Sequence, residues 1–349
     1  KTDQMFGFKF INSLVAILFF MNEYSSSISQ STSAKILFID PVSKVGFKEL
    51  TESGYTIDLK NSITDDQLDE IADQYKAIVL RSANSIRKKT IKNSKGHLKV
   101  IGRAGSGVDN IDLDAAKDAG IRVVNSPSGN SIAVAEHTFA LILALSRNIL
   151  KAQKSMADGK WDKKTLTGFQ LSGKVLAVLG MGNIGKAVAQ RALAFGMKVI
   201  TLKRGQSNLP KNVLPVGSLK EMLSTCDILT IHLPFSKQTE NIIAKKELSL
   251  MKSSSILINN ARGGIVNEED LLEAITAGKI GGAGLDTFKD EMQPFSSTVL
   301  QLVNHSNVIC TPHLGGSTFE AGDMVMSEVC RSVKDALEGK IPSFETIVV

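Results

Sequence analysis

The sequence predicts an α/β protein made of two Rossmann-like units, each a doubly wound parallel sheet. Three observations lead there. Short apolar runs alternate with helical segments along most of the chain, the pattern of βαβ units whose strands are covered on both faces. One Gly-x-Gly-x-x-Gly turn joins a strand-like run to a helix-like one, the context in which that motif binds a pyrophosphate. The 349 residues, 43% hydrophobic and 22% charged, suit two globular domains and not a disordered chain.

Residues 1–34 stand apart from this pattern. Their apolar run, Phe10 to Met21, contains Asn12 and Ser13 and falls short of the roughly 20 residues that cross a bilayer. With Lys9 before it and small residues up to Ala34 after it, the segment has the composition of a targeting leader. The alternative is a disordered start, with Met5 as the first residue. From Lys35 the strand-like runs are KILFID (35–40), YTIDL (55–59), AIVLRS (77–82), LKVIGRAG (98–105) and IRVVNSP (121–127). FKELTESG, DDQLDEIADQY and LDAAKDAG lie between them with helical spacing, and a long apolar helix spans about Ser131 to Arg147. Six further runs follow at 173–180, 197–203, 227–234, 254–260, 281–286 and 307–312, the number in a complete dinucleotide-binding sheet. Residues 319–340 form one last helix.

The charge balance, 41 Lys+Arg against 35 Asp+Glu, is modest for a nucleic-acid binder and suits an anionic small molecule. It is unevenly spread: residues 81–103 carry eight Lys and Arg and no Asp or Glu, a run expected to be mostly a solvated helix face. Cys226, Cys310 and Cys330 form no CxxC pair, so neither a disulfide framework nor a metal site is expected, and a reducing compartment is.

The turn reads Gly180-Met181-Gly182-Asn183-Ile184-Gly185. Gly180 permits the tight bend, Gly182 lets the backbone approach a pyrophosphate, and Gly185 allows close packing of helix on strand. An NAD-selective site carries Asp or Glu after the next strand; here Lys203 and Arg204 stand there, suited to a 2′-phosphate. The expected cofactor is therefore NAD(P)(H), with preference for NADP(H). Three later loops at strand ends offer Arg262, Glu291 and His313. Histidine titrates near neutrality and suits proton transfer, a carboxylate can hold its other nitrogen, and arginine grips a carboxylate in two-pronged fashion. His137 and His232 read as packing residues, and His97 and His305 as surface loops.

These motifs, together with VIGRAGSGVDNIDLDAAKDAGIRVVNSPSGNS, AEHTFALILALSRNI, GKWDKK, NNARGGIVNEEDLL, GAGLDTF and TPHLGGST, resemble the D-isomer-specific 2-hydroxyacid dehydrogenase family from about Lys35 to Val349. The resemblance implies a cofactor domain (129–316) inserted into a discontinuous substrate domain (35–128 and 317–349). It implies His313 as acid/base, Glu291 as its partner and Arg262 as carboxylate anchor. Ser106, Gly180, Gly182, Asn183, Ile184, Gly185, Leu233, Asn260, Ala261, Arg262, Asp286, His313 and Gly315 would meet the dinucleotide. Arg81, Arg103 and the backbone of Gly105, Ser106 and Gly107 would receive the substrate's far end, read here as a phosphate.

The implied activity is hydride exchange between NAD(P) and a D-2-hydroxy acid, foremost 3-phosphoglycerate and 3-phosphohydroxypyruvate. The alternatives are an NADPH-dependent glyoxylate or hydroxypyruvate reductase, and a non-catalytic, corepressor-like dinucleotide sensor. Further expectations are a homodimer through the cofactor domains, with Trp161 in the contact, and no nucleic-acid or membrane partner for the body. A cytoplasmic location is expected, or an organelle reached through residues 1–34. The short form of the family, without a regulatory domain or control by serine, is expected. Two departures stand out: Lys203 in place of the usual acid, and a lengthened segment, MQPFSSTVLQLVNHSN, between Glu291 and His313, read as a loop.

Overall fold

A computed structural model describes residues 34–40, 42–203, 209–291, 293–342 and 347–349. The first sheet holds β1 (Lys35–Ile39), β2 (Thr56–Lys60), β3 (Ala77–Leu80), β4 (Val100–Arg103) and β5 (Arg122–Asn125), in the order β2-β1-β3-β4-β5. The second holds β6 (Val175–Leu179), β7 (Lys198–Leu202), β8 (Val213–Val216), β9 (Ile228–Ile231), β10 (Ile256–Asn259), β11 (Gly282–Leu285) and β12 (Val308–Cys310). Its order is β12-β11-β10-β9-β6-β7-β8. Every named pairing is parallel. This explains why the strands read as unbroken apolar runs: β3, β9, β10 and β11 are buried at every position, covered on both faces by helices.

Strand order reverses beside β1 in one sheet and β6 in the other, and ligands of open α/β sheets bind outside the strands' carboxyl ends at such points. The helix Ser131–Ser146 packs on β10 and β11 and on the helix Asn183–Ala194. The helix Phe319–Leu337 returns to the first sheet, where Val329 and Val333 press on Gly102 of β4. Its buried Glu328 accepts hydrogen bonds from Ser126 (2.5 Å) and Ser128 (2.8 Å), tying the second chain crossing to the first. Residues 347–349 pair antiparallel with β5.

Three details differ from the sequence expectation. The second sheet has a seventh strand, β8, whose Pro215 interrupts the β pattern; proline is tolerated there because β8 is an edge. The lengthened segment is not all loop: Ser297–Asn304 is helical, capped by Ser296 and burying Val299 and Leu302 one turn apart. The basic run is not simply solvated either. Arg87 donates to Asp66 (2.8 Å) and Asp69 (2.5 Å) of the helix Asp65–Ile71, and Lys95 pairs with Asp73. No single helix among the described residues is long and apolar enough to cross a membrane.

Candidate active site

The fingerprint turn follows β6 as expected. Gly180 has φ 107°, and a Cβ there would collide with the carbonyl oxygen of His232, at the end of the neighbouring β9. A Cβ on Gly185 would collide with the carbonyl of Gly180. Gly182 faces open space and caps the 12-residue helix Asn183–Ala194 without a side-chain acceptor, leaving the first N–H groups available to an anion. Ile184 is half-buried within that first turn, and Leu233 and Asn260 follow the adjacent strands β9 and β10. These residues fit a dinucleotide pyrophosphate. Asn183 also donates to the carbonyl of Pro127 (3.1 Å), in the first chain crossing. Lys203 is exposed at the end of β7, its N–H bonded to Val216, while Arg204 lies outside the described residues.

At the opposite end of the same edge stands the histidine. His313 Nδ1 lies 2.9 Å from Glu291 Oε2, so the carboxylate takes the Nδ1 proton and Nε2 is left as the base of the neutral ring. His313 has φ 54°, a left-handed backbone that a non-glycine residue holds only when its surroundings impose it. Asp286, 1% exposed, imposes it. Its main-chain carbonyl accepts the His313 N–H (2.9 Å), and its carboxylate accepts the N–H groups of Leu314 and Gly315 (both 2.8 Å) and the Thr311 hydroxyl (2.5 Å). Burial pushes the Asp286 carboxyl up, but hydrogen bonds from His137, Thr311, Leu314 and Gly315 outweigh it and hold the group ionised below its ordinary range.

Across the cleft, Arg81 follows β3 and Arg103 ends β4. With His313, Glu291, Gly105 and residues of the helix Phe319–Leu337 they line a cavity of about 270 Å³. Burial, reinforced by the positive charges of Arg262 and Arg81, pushes the Arg103 guanidinium down to about 10. Arg81 and Arg103 thus share one cavity, with the charge of Arg262 felt at Arg103 and partly offset by Asp109 and Asp40. Arg262 bonds Asp109 (2.8 Å) and the carbonyl of Ala261 (2.7 Å) and lies against Gly107, so the expected carboxylate anchor spans the cleft from β10 to the loop after β4. Ser106 sits in that loop, its carbonyl held by Asn125 (2.7 Å).

Two further polar residues stand at the site beyond those singled out in the sequence. Asn130 lines the cavity with its Oδ1 buried and unpartnered; its only signal is a polar residue just before an apolar helix. His137, read as packing, reaches Thr311 Oγ1 at 3.0 Å and Asp286 Oδ1 at 3.4 Å. Its signal is a histidine one turn from Val134 and Leu141 on a largely apolar helix. The packing reading fits His232, whose Nε2 bonds Thr230 (2.9 Å) and whose ring burial pushes down to about 3, so that it stays neutral.

A glycine-rich turn opening a helix and a histidine–glutamate pair, both at the carboxyl ends of one parallel sheet and beside a cationic cavity, define the class: a nicotinamide-dinucleotide-binding α/β protein. The chain belongs to the D-isomer-specific 2-hydroxyacid dehydrogenase family, whose NAD binding domain matches residues 139–315. It is 41% identical over 310 residues to D-3-phosphoglycerate dehydrogenase of Synechocystis sp., covering 88% of this chain and 55% of that one. It is 40% identical over 270 residues to hydroxypyruvate reductase of Thermotoga maritima, covering 77% and 87%. The structure of a glyoxylate reductase from Paecilomyes thermophila superposes with a TM-score of 0.81 at 29% identity, covering 90% of this chain and 98% of that one. The chain spans 55–58% of the length of the first two phosphoglycerate dehydrogenases it matches.

Proposed function

We propose that the protein is an NAD(P)-dependent D-2-hydroxyacid dehydrogenase that interconverts 3-phosphoglycerate and 3-phosphohydroxypyruvate. The observation that carries this reading is one cavity lined by Arg81 and Arg103 together with His313 and Glu291, with the positive charge of Arg262 acting on Arg103 from beside it. Two anionic ends of one small substrate match that arrangement: Arg262 takes the carboxylate, while Arg81, Arg103 and the N–H groups of Ser106 and Gly107 take the phosphate; the Gly105 N–H, expected to join them, already donates to the Arg103 carbonyl at 2.9 Å. In this reading residues 35–128 with 317–349 form the substrate domain, and 129–316 the cofactor domain.

In the oxidative direction His313 Nε2 accepts the C2 hydroxyl proton as the C2–H bond breaks and the C2 carbonyl forms. The nicotinamide, when bound, supplies the acceptor for that hydride. Glu291 steadies the imidazolium that results, and Arg262 holds the carboxylate so that C2 keeps its orientation. In reduction the same nitrogen returns the proton. Asp286, Asn260 and Ala261 would hold the nicotinamide end of the dinucleotide, and Gly315 lies close against the Asp286 carboxylate.

A second reading, a hydroxypyruvate or glyoxylate reductase, is favoured by the Thermotoga maritima relative, of which the chain covers 87%. A matrix of 3-phosphohydroxypyruvate, hydroxypyruvate and glyoxylate against NADPH and NADH separates the two. The highest kcat/KM is expected for 3-phosphohydroxypyruvate; a higher value for either unphosphorylated acid selects the reductase, and dinucleotide binding without turnover selects a sensor. We infer NADPH preference from the exposed Lys203, with Arg204 following it. Lys203→Asp is expected to lower the NADPH/NADH ratio of kcat/KM by about tenfold or more, the worth of one charge-assisted contact.

We also infer a homodimer through the cofactor domains. Ile149, Leu150 and Met156 of the helix Ile149–Ala157 are more than half exposed, and Trp161 is 79% exposed. Such a cluster of large apolar side chains is what an interface covers. Trp161→Glu is expected to raise the dimer dissociation constant by about 30-fold or more, read by light scattering across a dilution series. An unchanged mass at every concentration would rule this surface out.

A further inference from the structure

We propose that His137 is a positioning residue for the catalytic loop. It stands on the helix Ser131–Ser146 and holds the Thr311–Asp286 pair that shapes the backbone at His313. The inference rests on the reading of His313 as the acid/base.

The directions of the hydrogen bonds follow from what each atom can do. Asp286 is an ionised carboxylate and only accepts, so the Thr311 hydroxyl donates its one proton to Asp286 Oδ1 at 2.5 Å. Thr311 Oγ1 is then an acceptor towards His137, and His137 Nε2, 3.0 Å away, is the donor. The same N–H lies 3.4 Å from Asp286 Oδ1. His137 therefore carries a proton on Nε2, and that N–H permits only one orientation of the Thr311 hydroxyl. That orientation aims the hydroxyl at Asp286 Oδ1, the oxygen that also takes the Leu314 N–H at 2.8 Å, while Oδ2 takes the Gly315 N–H at 2.8 Å. The carbonyl of Asp286 takes the N–H of His313 itself. Three consecutive N–H groups of the loop thus end on one residue, and they surround a left-handed histidine backbone that would otherwise relax.

His137 is the member of this chain that comes from outside the β11–β12 edge. Thr311, Asp286 and residues 313–315 all belong to that edge, whereas His137 belongs to the helix that also carries the Val134 carbonyl and Thr138 hydroxyl gripped by Asn260. The helix therefore fixes two neighbouring strand ends, Asn260 after β10 and Asp286 after β11, relative to each other. His137 does not itself line the cavity of Arg81, Arg103 and His313, which separates it from the residues assigned to the substrate.

The test uses His137→Phe, which keeps an apolar ring but removes the donor, and His137→Gln, whose Nε2 restores a donor at similar reach. Amide hydrogen exchange of the ligand-free full chain is read at Leu314 and Gly315, with β9 and β10 as internal references. Turnover is read with 3-phosphohydroxypyruvate and NADPH. His137→Phe is expected to lose about tenfold or more of the protection at Leu314 and Gly315 and none in the references. Its kcat is expected to fall about tenfold or more with KM within about threefold. His137→Gln is expected to recover most of both. Retained loop protection in His137→Phe, an unchanged kcat, or equal damage from Phe and Gln would each overturn the proposal. If the parent turns over none of the three oxo acids, the acid/base reading has failed, while the exchange data still decide whether His137 orders the loop.

Discussion

His313→Asn is expected to lower kcat by about a thousandfold, within the range that a positioned general acid–base supplies. The amide cannot take up the C2 proton, yet its volume and its hydrogen bond to Glu291 are close to those of the imidazole. The dissociation constant for dinucleotide, measured by fluorescence titration, is accordingly expected to stay within about threefold of the parent. A loss confined to KM would show that His313 merely binds. Glu291→Gln is the companion variant: it keeps a hydrogen-bond acceptor beside Nδ1 at 2.9 Å but removes the charge that steadies the imidazolium. Its cost is expected to be smaller, about 10–100-fold in kcat, as for a partner acting through another group.

Arg103→Met is expected to separate function from stability. The Arg103 guanidinium is buried and pushed down to about 10, by that burial first and then by its cationic neighbours Arg262 and Arg81. In the ligand-free protein that repulsion is a cost, of the kind stored at binding sites and offset when an anion arrives. Methionine keeps much of the volume and removes the charge. The melting temperature of the ligand-free protein is expected to rise, by about 2–4 °C for each kcal/mol recovered. KM for 3-phosphohydroxypyruvate is expected to rise about 100-fold, and that for hydroxypyruvate by less than about fivefold, since a buried charge-assisted pair to phosphate is lost only for the first. Equal changes for both substrates would place the phosphate elsewhere.

These two results bear on different links of the same structure. In the proposed reaction His313 acts at the reacting atom, and its position depends on Asp286 and the loop that follows β12. In the same reading Arg103 meets the far end of the substrate, and its position depends on β4, in the other sheet. A cleft formed between two sheets lets the two be varied independently, and closure of such a cleft excludes water from hydride transfer.

Much of the fold was legible because parallel strands covered on both faces must be apolar throughout, so KILFI, AIVL, VLAVL, ILTI and ILIN announce themselves. β8 was not legible, because an edge strand needs neither a continuous apolar run nor every N–H, and Pro215 disguised it. The helix Ser297–Asn304 was hidden by its two-turn length and its polar start. The fingerprint and the residues Arg262, Glu291 and His313 could be picked out by type and by their places after apolar runs. What the sequence by itself determined was therefore the buried strands of both sheets and the glycine turn after β6, and it singled out Arg262, Glu291 and His313 as candidates. Only the tertiary structure decided which groups converge: Arg81 and Arg103 on one cavity with His313 and Glu291, Arg262 with Asp109, and His137 with Thr311 and Asp286. The reason is physical. Periodicity and turn chemistry are local, set by neighbours a few residues apart, whereas these contacts join residues from 25 to more than 150 positions apart that meet only after two sheets and a crossing helix have packed.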